Sequence, residues 1–180
     1  MSNKVYLFKS ERLGFRNWIA EDVKPFSAMN SDESVMNFFP NPLTHEETQG
    51  FVKRLQRHFE NFGYTFFAVD KLENGELIGF IGLVKTAYET DFTPCVEIGW
   101  RLKTAAWNKG YATEGAFACL GYGFNTLGFT EIYSFTPVLN ENSEKVMIKI
   151  GMEKIGAFNH PKVEKGHRLE KHVLYKINNK

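Results

Sequence analysis

Cysteine is nearly missing from this chain: among 180 residues there are two, Cys95 and Cys119. Two thiols make no disulfide framework. As buried small hydrophobes they suit a reducing compartment, so a cytoplasmic location is expected. No apolar run is long enough to cross a bilayer and no signal-peptide core is visible, so no membrane partner is expected. An excess of one charge is missing too. The formal net charge is +1, from 22 basic and 21 acidic residues that are interleaved, and no basic stripe points to a nucleic acid. Internal repeats, low-complexity tracts and linker-like stretches are also lacking, which leaves one domain over residues 1–180.

Rings are what the chain has in quantity. Aromatic residues make up 15%, with 17 Phe, so the core is expected to be built on them. Val5 to Phe8 and Leu13 to Arg16 read as extended segments. Helical spacing follows from Ala20 to Met29, with Pro25 early enough to be tolerated. Met36 to Pro42 reads as an aromatic loop stopped by proline, either a lid or plain packing. Thr44 and Glu47 form a capping box that opens a helix through Phe62, stopped by Gly63. Tyr64–Asp70 and Leu77–Val84 flank the turn signal Glu73-Asn74-Gly75-Glu76 and read as an antiparallel pair. A loop from Tyr88 to Pro94 leads to a strand over Val96 to Leu102.

That strand runs on to Trp107-Asn108-Lys109-Gly110-Tyr111-Ala112-Thr113-Glu114, a glycine-containing turn, and then to a long helix from Thr113 to about Leu127. The first N–H groups of a helix have no carbonyl partner, and the helix dipole adds partial positive charge there. Gly110 and the small Ala112 permit close approach of a phosphate, and Lys109 adds a cation. The turn therefore reads as a pyrophosphate cradle. Ile132 to Thr136 is the next strand, Asn142 to Ile150 a short helix ended by Gly151, and Lys154–Phe158 with His172–Ile177 a closing strand pair. Strand, helix and strand over Val96 to Thr136 make a crossover, which forces two parallel neighbours into an otherwise antiparallel sheet. The fold class is mixed α/β (α+β). Ligands of such sheets gather where strand order changes, and the turn sits there.

Two spaced motifs carry a family resemblance. Val96 to Leu102 followed by Trp107 to Ala116 resembles motif A of the GNAT N-acetyltransferases, except that Trp107 stands where the family usually has Gln or Arg. Asn140-Glu141-Asn142-Ser143 with Lys149, Gly151 and Met152 is similar to a signature of the branch that acetylates ribosomal-protein N-termini. The resemblance implies the GNAT fold, with the parallel strands splayed, and transfer of an acetyl group from acetyl-CoA to a primary amine. That amine belongs to a protein N-terminus or to a small molecule. It also implies that the pantetheine arm pairs with backbone groups around Trp100, Arg101 and Leu102, and that the pyrophosphate meets N–H groups from Asn108 through Lys109, Gly110, Tyr111 and Ala112 to Thr113. No metal is implied, and a homodimer stays open.

Direct acetyl transfer needs a neutral amine and a proton for the departing thiolate. Glu97, between Val96 and Ile98, is the candidate base, directly or through a water, because burial would raise its pKa towards neutrality. The competing reading pairs it with Arg101 on the same strand face. Ser143 is the candidate donor to the sulfur, or else a helix N-cap. Asn140 either binds the pantetheine arm or orients its loop. His160, His167 and His172, with no cysteine near, do not make a metal ligand set. No Ser-His-Asp arrangement and no phosphate-binding Gly-Lys-Ser/Thr loop occurs. The rival of another class is a catalytically silent acyl-CoA-binding sensor module.

Overall fold

A computed structural model describes residues 4–179. The expected first strand shrinks to β1 (Phe8–Lys9), which pairs with β2 (Leu13–Arg16). A single 3-10 turn at Ala20–Asp22 leads into α1 (Val23–Asn30), so Pro25 falls in the first helical turn, where its missing N–H does no harm. Ahead of the Met36–Pro42 loop stands a one-turn helix that the spacing did not reveal, α2 (Glu33–Met36). Asp32 caps it by accepting from the Ser34 N–H at 2.8 Å. Four residues are too few to show a helical period.

Helix α3 (His45–Phe62) begins and ends as its chemistry requires. The Thr44 hydroxyl accepts from the Glu47 N–H, the Glu47 carboxylate accepts from the Thr44 N–H, and Gly63 closes the helix at φ 77. Strands β3 (Phe66–Lys71), β4 (Leu77–Thr86) and β5 (Cys95–Leu102) follow as antiparallel neighbours. Helix α4 (Tyr111–Asn125) crosses to β6 (Glu131–Pro137). After α5 (Glu141–Lys149), β7 (Glu153–Asn159) and β8 (Lys171–Asn178) complete one eight-stranded sheet in the order β1-β2-β3-β4-β5-β6-β8-β7.

Every neighbouring pair is antiparallel except β5 and β6. Both sheet faces are covered, which gives two apolar cores. Ile81, Ile98 and Ile132 pack under Ala116 and Cys119 of α4 and Met147 of α5. On the other face Phe80 and Ala68 pack under Phe26, Val52 and Leu55 of α1 and α3. Burying one stripe of each helix against a sheet is what holds such layers together. Cys95 and Cys119 are both buried and free, as small hydrophobes.

The parallel pair is where the sheet opens. Strand β5 pairs with β4 along its whole length, from Gly79↔Leu102 to Thr86↔Cys95. With β6 it makes one bridge, Glu97↔Tyr133. One residue further, the Ser134 hydroxyl donates to the Ile98 carbonyl at 2.9 Å. Beyond that point the strands separate, so the expected splay is present.

Candidate active site

Side chains alternate along β5, and this divides the site between the two faces of the sheet. Ile98, Trp100 and Leu102 turn towards the α4 core, which leaves Glu97, Gly99 and Arg101 on the face covered by α1 and α3. In-plane groups alternate as well. The Arg101 carbonyl lies so close against Gly79 of β4 that a side chain at Gly79 would strike it. The Leu102 carbonyl points the opposite way and accepts from the Trp107 indole N–H at 2.7 Å. By that alternation the backbone N–H and C=O of Trp100 face the gap that β6 has vacated.

The gap leads to the start of α4. Asn108 at φ 58 and Gly110 at φ 79 bend the chain sharply, and both are exposed. The first helical backbone bond runs from the Glu114 N–H to the Gly110 carbonyl, so the N–H groups of Tyr111, Ala112 and Thr113 are the orphans of the first turn. A Cβ placed on Gly110 would meet Arg12 at 3.4 Å and nothing nearer, so the space over the turn is clear. The helix starts two residues earlier than the spacing implied, which places Tyr111 and Ala112 inside its first turn. Arg12 and Lys149 line the same opening with Gly110, Thr113, Phe117 and two acids, Glu11 and Glu114, and Arg12 Nε donates to Glu114 at 2.6 Å. Neither cation was assigned to this turn from the sequence, because both arrive from distant elements. A turn with open donors and nearby cations fits a diphosphate.

Glu97 sits where β5 and β6 part. Its carboxylate accepts from the Thr86 hydroxyl at 2.7 Å. Loss of water raises its pKa to about 7, against the opposing pull of that hydrogen bond and of the Lys162 ammonium. The expected alternative of a Glu97–Arg101 pair is not what forms. The residues share a face, but four strand intervals separate their Cα atoms by about 13 Å, and Arg101 instead donates to Asn30 Oδ1 at 2.9 Å. No spacing rule could have found Thr86, which comes from the neighbouring strand through the Thr86↔Cys95 register.

On the other face, Asn140 is the N-cap of α5, accepting from the Ser143 N–H at 3.3 Å. The reading of Ser143 as cap is thereby corrected: Asn and Ser are both good caps, and the one further upstream takes the position. The Asn140 amide is spent inside the protein, donating to Thr136 Oγ1 at 3.0 Å and Ser143 Oγ at 3.1 Å. Ser143 Oγ also accepts from the Trp100 indole N–H at 3.2 Å. A hydroxyl oxygen that accepts twice keeps its own proton to give away. The structure thus brings Glu97, Trp100, Leu102 and Ser143 to the parting strands and Asn108 to Thr113 to the cleft's far end. Lys109 is exposed beside them, and Arg101 stands apart, with its carbonyl on β4 and its side chain under α3.

The family profile described as an acetyltransferase (GNAT) domain matches residues 12–153. This chain belongs to the GNAT acetyltransferases. The uncharacterized N-acetyltransferase YnaD of Bacillus subtilis is 33% identical over 152 residues, covering 83% of this chain and 84% of that protein. The crystal structure of a GNAT-family acetyltransferase from Bacillus anthracis superposes with a TM-score of 0.78 at 30% identity, covering 94% of this chain and 96% of the other. A ribosomal-protein-S5-alanine acetyltransferase from Vibrio fischeri shares the fold at a TM-score of 0.74 and 19% identity, over 96% of each chain. Members of the GNAT family take their acetyl group from acetyl-CoA, and the parted strands and open helix start fit that co-substrate. No described helix of this GNAT chain is long and apolar enough to cross a membrane.

Proposed function

We propose that residues 1–180 act as one acetyltransferase domain that moves an acetyl group directly from acetyl-CoA to a primary amine, with Glu97 as the base. The observation that carries this reading is a carboxyl group whose pKa is about 7, placed where β5 and β6 separate. A base of that strength accepts a proton near neutral pH and can still release it. Acetyl-CoA supplies a thioester carbonyl with a thiolate as leaving group. Glu97 removes a proton from the amine as the nitrogen–carbon bond forms and the carbon–sulfur bond breaks. Ser143, on the opposite face, donates to the departing sulfur and recovers its proton from solvent. The backbone of Trp100 and Leu102 pairs with the pantetheine arm, and the N–H groups from Asn108 to Thr113 hold the diphosphate, with Lys109 adding charge. Asn140 keeps Ser143 in position. The amine belongs to a protein N-terminus, as in the branch that modifies ribosomal proteins, or to a small molecule.

Glu97→Gln keeps the shape of the side chain and removes the base. With amines and N-terminal peptides screened for free thiol release, kcat/KM is expected to fall by about 10²- to 10⁴-fold while CoA binding, measured by calorimetry, is retained. With the ionisation of the amine itself divided out, the wild-type profile of log kcat/KM should rise with unit slope up to about pH 7 and level off above it, because only the deprotonated carboxylate accepts. A wild type that binds CoA yet acetylates no amine would make the chain the silent sensor instead.

A further inference from the structure

Among the described residues, two buried side-chain polar atoms lack a hydrogen-bond partner, Tyr88 Oη and Arg101 Nε. Native proteins leave few such atoms, and each asks for an explanation. Both belong to the Glu97 face. Tyr88 is close enough for the Glu97 charge to help burial raise its phenol pKa, and Arg101 is the second same-face residue beyond Glu97 on β5.

Arg101 is the more demanding of the two. It is 8% exposed. Burial alone lowers its pKa to about 9, and no acid stands near enough to oppose that. Its Nη1 donates to Asn30, whose own amide donates to Thr48. Phe39 covers the flat face of the guanidinium at 3.8 Å. A stack of this kind occupies the face and leaves the in-plane edge available. Arg16 shows how this chain treats the same group when its task is structural. There Nε and Nη2 together hold the Asp70 carboxylate, at 2.7 and 2.9 Å, while Nη1 and Nη2 hold Asp22 at 2.6 and 2.8 Å. The edge that Arg16 closes on a carboxylate is unanswered at the buried Nε of Arg101. Tying Asn30 in place needs no permanent cation, and burying one without a counter-charge is costly.

We infer that Arg101 receives a carboxylate carried by the acceptor, several bonds away from the amine that reacts beside Glu97. The interval along β5, about 13 Å between Cα atoms, favours an acceptor with amine and carboxylate several bonds apart over one that carries both on the same carbon. It suits an ω-amino acid or a short peptide reacting at its N-terminus. Phe39 belongs to the Pro-flanked loop that roofs this region, and Arg168 of the β7–β8 connection ties that loop down by donating to the Asn37 carbonyl. The free Tyr88 hydroxyl offers a second donor at the amine end.

The inference rests on the acetyltransferase reading of Glu97's face, and its test separates the two. Straight-chain ω-amino acids of increasing length are compared with the alkylamines of equal length, and short peptides with their C-terminal amides, in the wild type, Arg101→Met and Arg101→Lys. The wild type is expected to favour the carboxylates by about 10- to 100-fold in kcat/KM, the scale of a charge-assisted pair. The preference should vanish in Arg101→Met through KM and return in part in Arg101→Lys. Which series shows it distinguishes the small molecule from the peptide. Equal rates for both members of every pair in the wild type, or a preference that survives in Arg101→Met, overturns the inference while leaving the acetyltransferase intact. Thermal unfolding needs no turnover: the same ω-amino acids and peptides at millimolar concentration should raise the wild-type Tm and leave that of Arg101→Met unmoved. A carboxylate-dependent shift without thiol release would keep the Arg101 site and sink the transferase reading. No shift in the wild type sinks the site.

Discussion

Arg16 and Arg101 are buried to a similar degree, 2% and 8% exposed, in opposite chemical company. Around Arg16, burial would lower the pKa, but hydrogen bonds and charge from Asp22 and Asp70 more than offset it and the value is raised. Around Arg101 stand the rings of Phe39, Phe51 and Phe80 and one neutral amide but no acid, and burial lowers the value. One guanidinium ties β2 to β3 and to the turn before α1 with every donor engaged. The other lies between the strand carrying the candidate base and the helices above it, one donor spent on a neutral amide. A buried cation whose charge is answered inside the protein is a strut, whereas one whose charge is not answered points to a ligand.

The largest expected effect tests the strut. Arg16→Met leaves buried Asp22 without a cation and Asp70 with Lys4 alone, and should lower stability by about 3–5 kcal/mol, read from the urea midpoint. A loss under about 1 kcal/mol would erase the contrast. Next comes Arg101→Met, for which the sign should reverse: removing an unanswered charge from an apolar site should raise stability by about 1–2 kcal/mol. A loss above about 2 kcal/mol would make Arg101 a strut as well. Glu97 supplies the smallest effect and the third case, a half-buried acid. Its pKa is raised from 4.5 to about 7, so the folded state binds its proton more tightly than the unfolded chain does. The stability this confers is complete below about pH 4.5 and is lost as pH climbs through about 7. Glu97→Gln should therefore be the more stable protein by about 1 kcal/mol at pH 8, scaled down for the open cleft, and should show no advantage at pH 4. An equal difference at both pH values would mean that the gain has nothing to do with ionisation.

Much of the fold could be read from local chemistry. The Thr44–Glu47 box, the stop at Gly63, the hairpin at Asn74-Gly75 and the β5–α4–β6 crossover are each specified by residues within a few positions of one another. So is the bend at Gly110. The boundaries of β1 and the existence of α2 were not legible, because two paired residues or one helical turn leave no period to detect. In the site, what escaped was whatever depends on contacts distant in sequence. Arg12 and Lys149 reach the start of α4 from elsewhere. Thr86 meets Glu97 through strand register, and Asn30 takes Arg101 away from Glu97. Of the two readings kept for Ser143, the cap went to Asn140 instead, since either residue type can cap and hydrogen-bond geometry decides. Trp107 stood out as a departure from the family pattern, and the structure gives it work as a donor to the Leu102 carbonyl.

A single bridge between Glu97 and Tyr133 joins the half of the sheet made by β1 to β5 to the half made by β6, β8 and β7. They are also coupled by the Ser134 hydroxyl on the Ile98 carbonyl, by the rings of Tyr88 and Phe92 against Tyr133 and Phe135, and by the helices packed across them. A guest that hydrogen-bonds to Trp100 on one side and rests on α4 at the end of the fissure would become mortar for the masonry itself. Cohesion of the scaffold and occupancy of the fissure would then rise and fall together, each completed turnover briefly loosening the structure that the next guest makes whole.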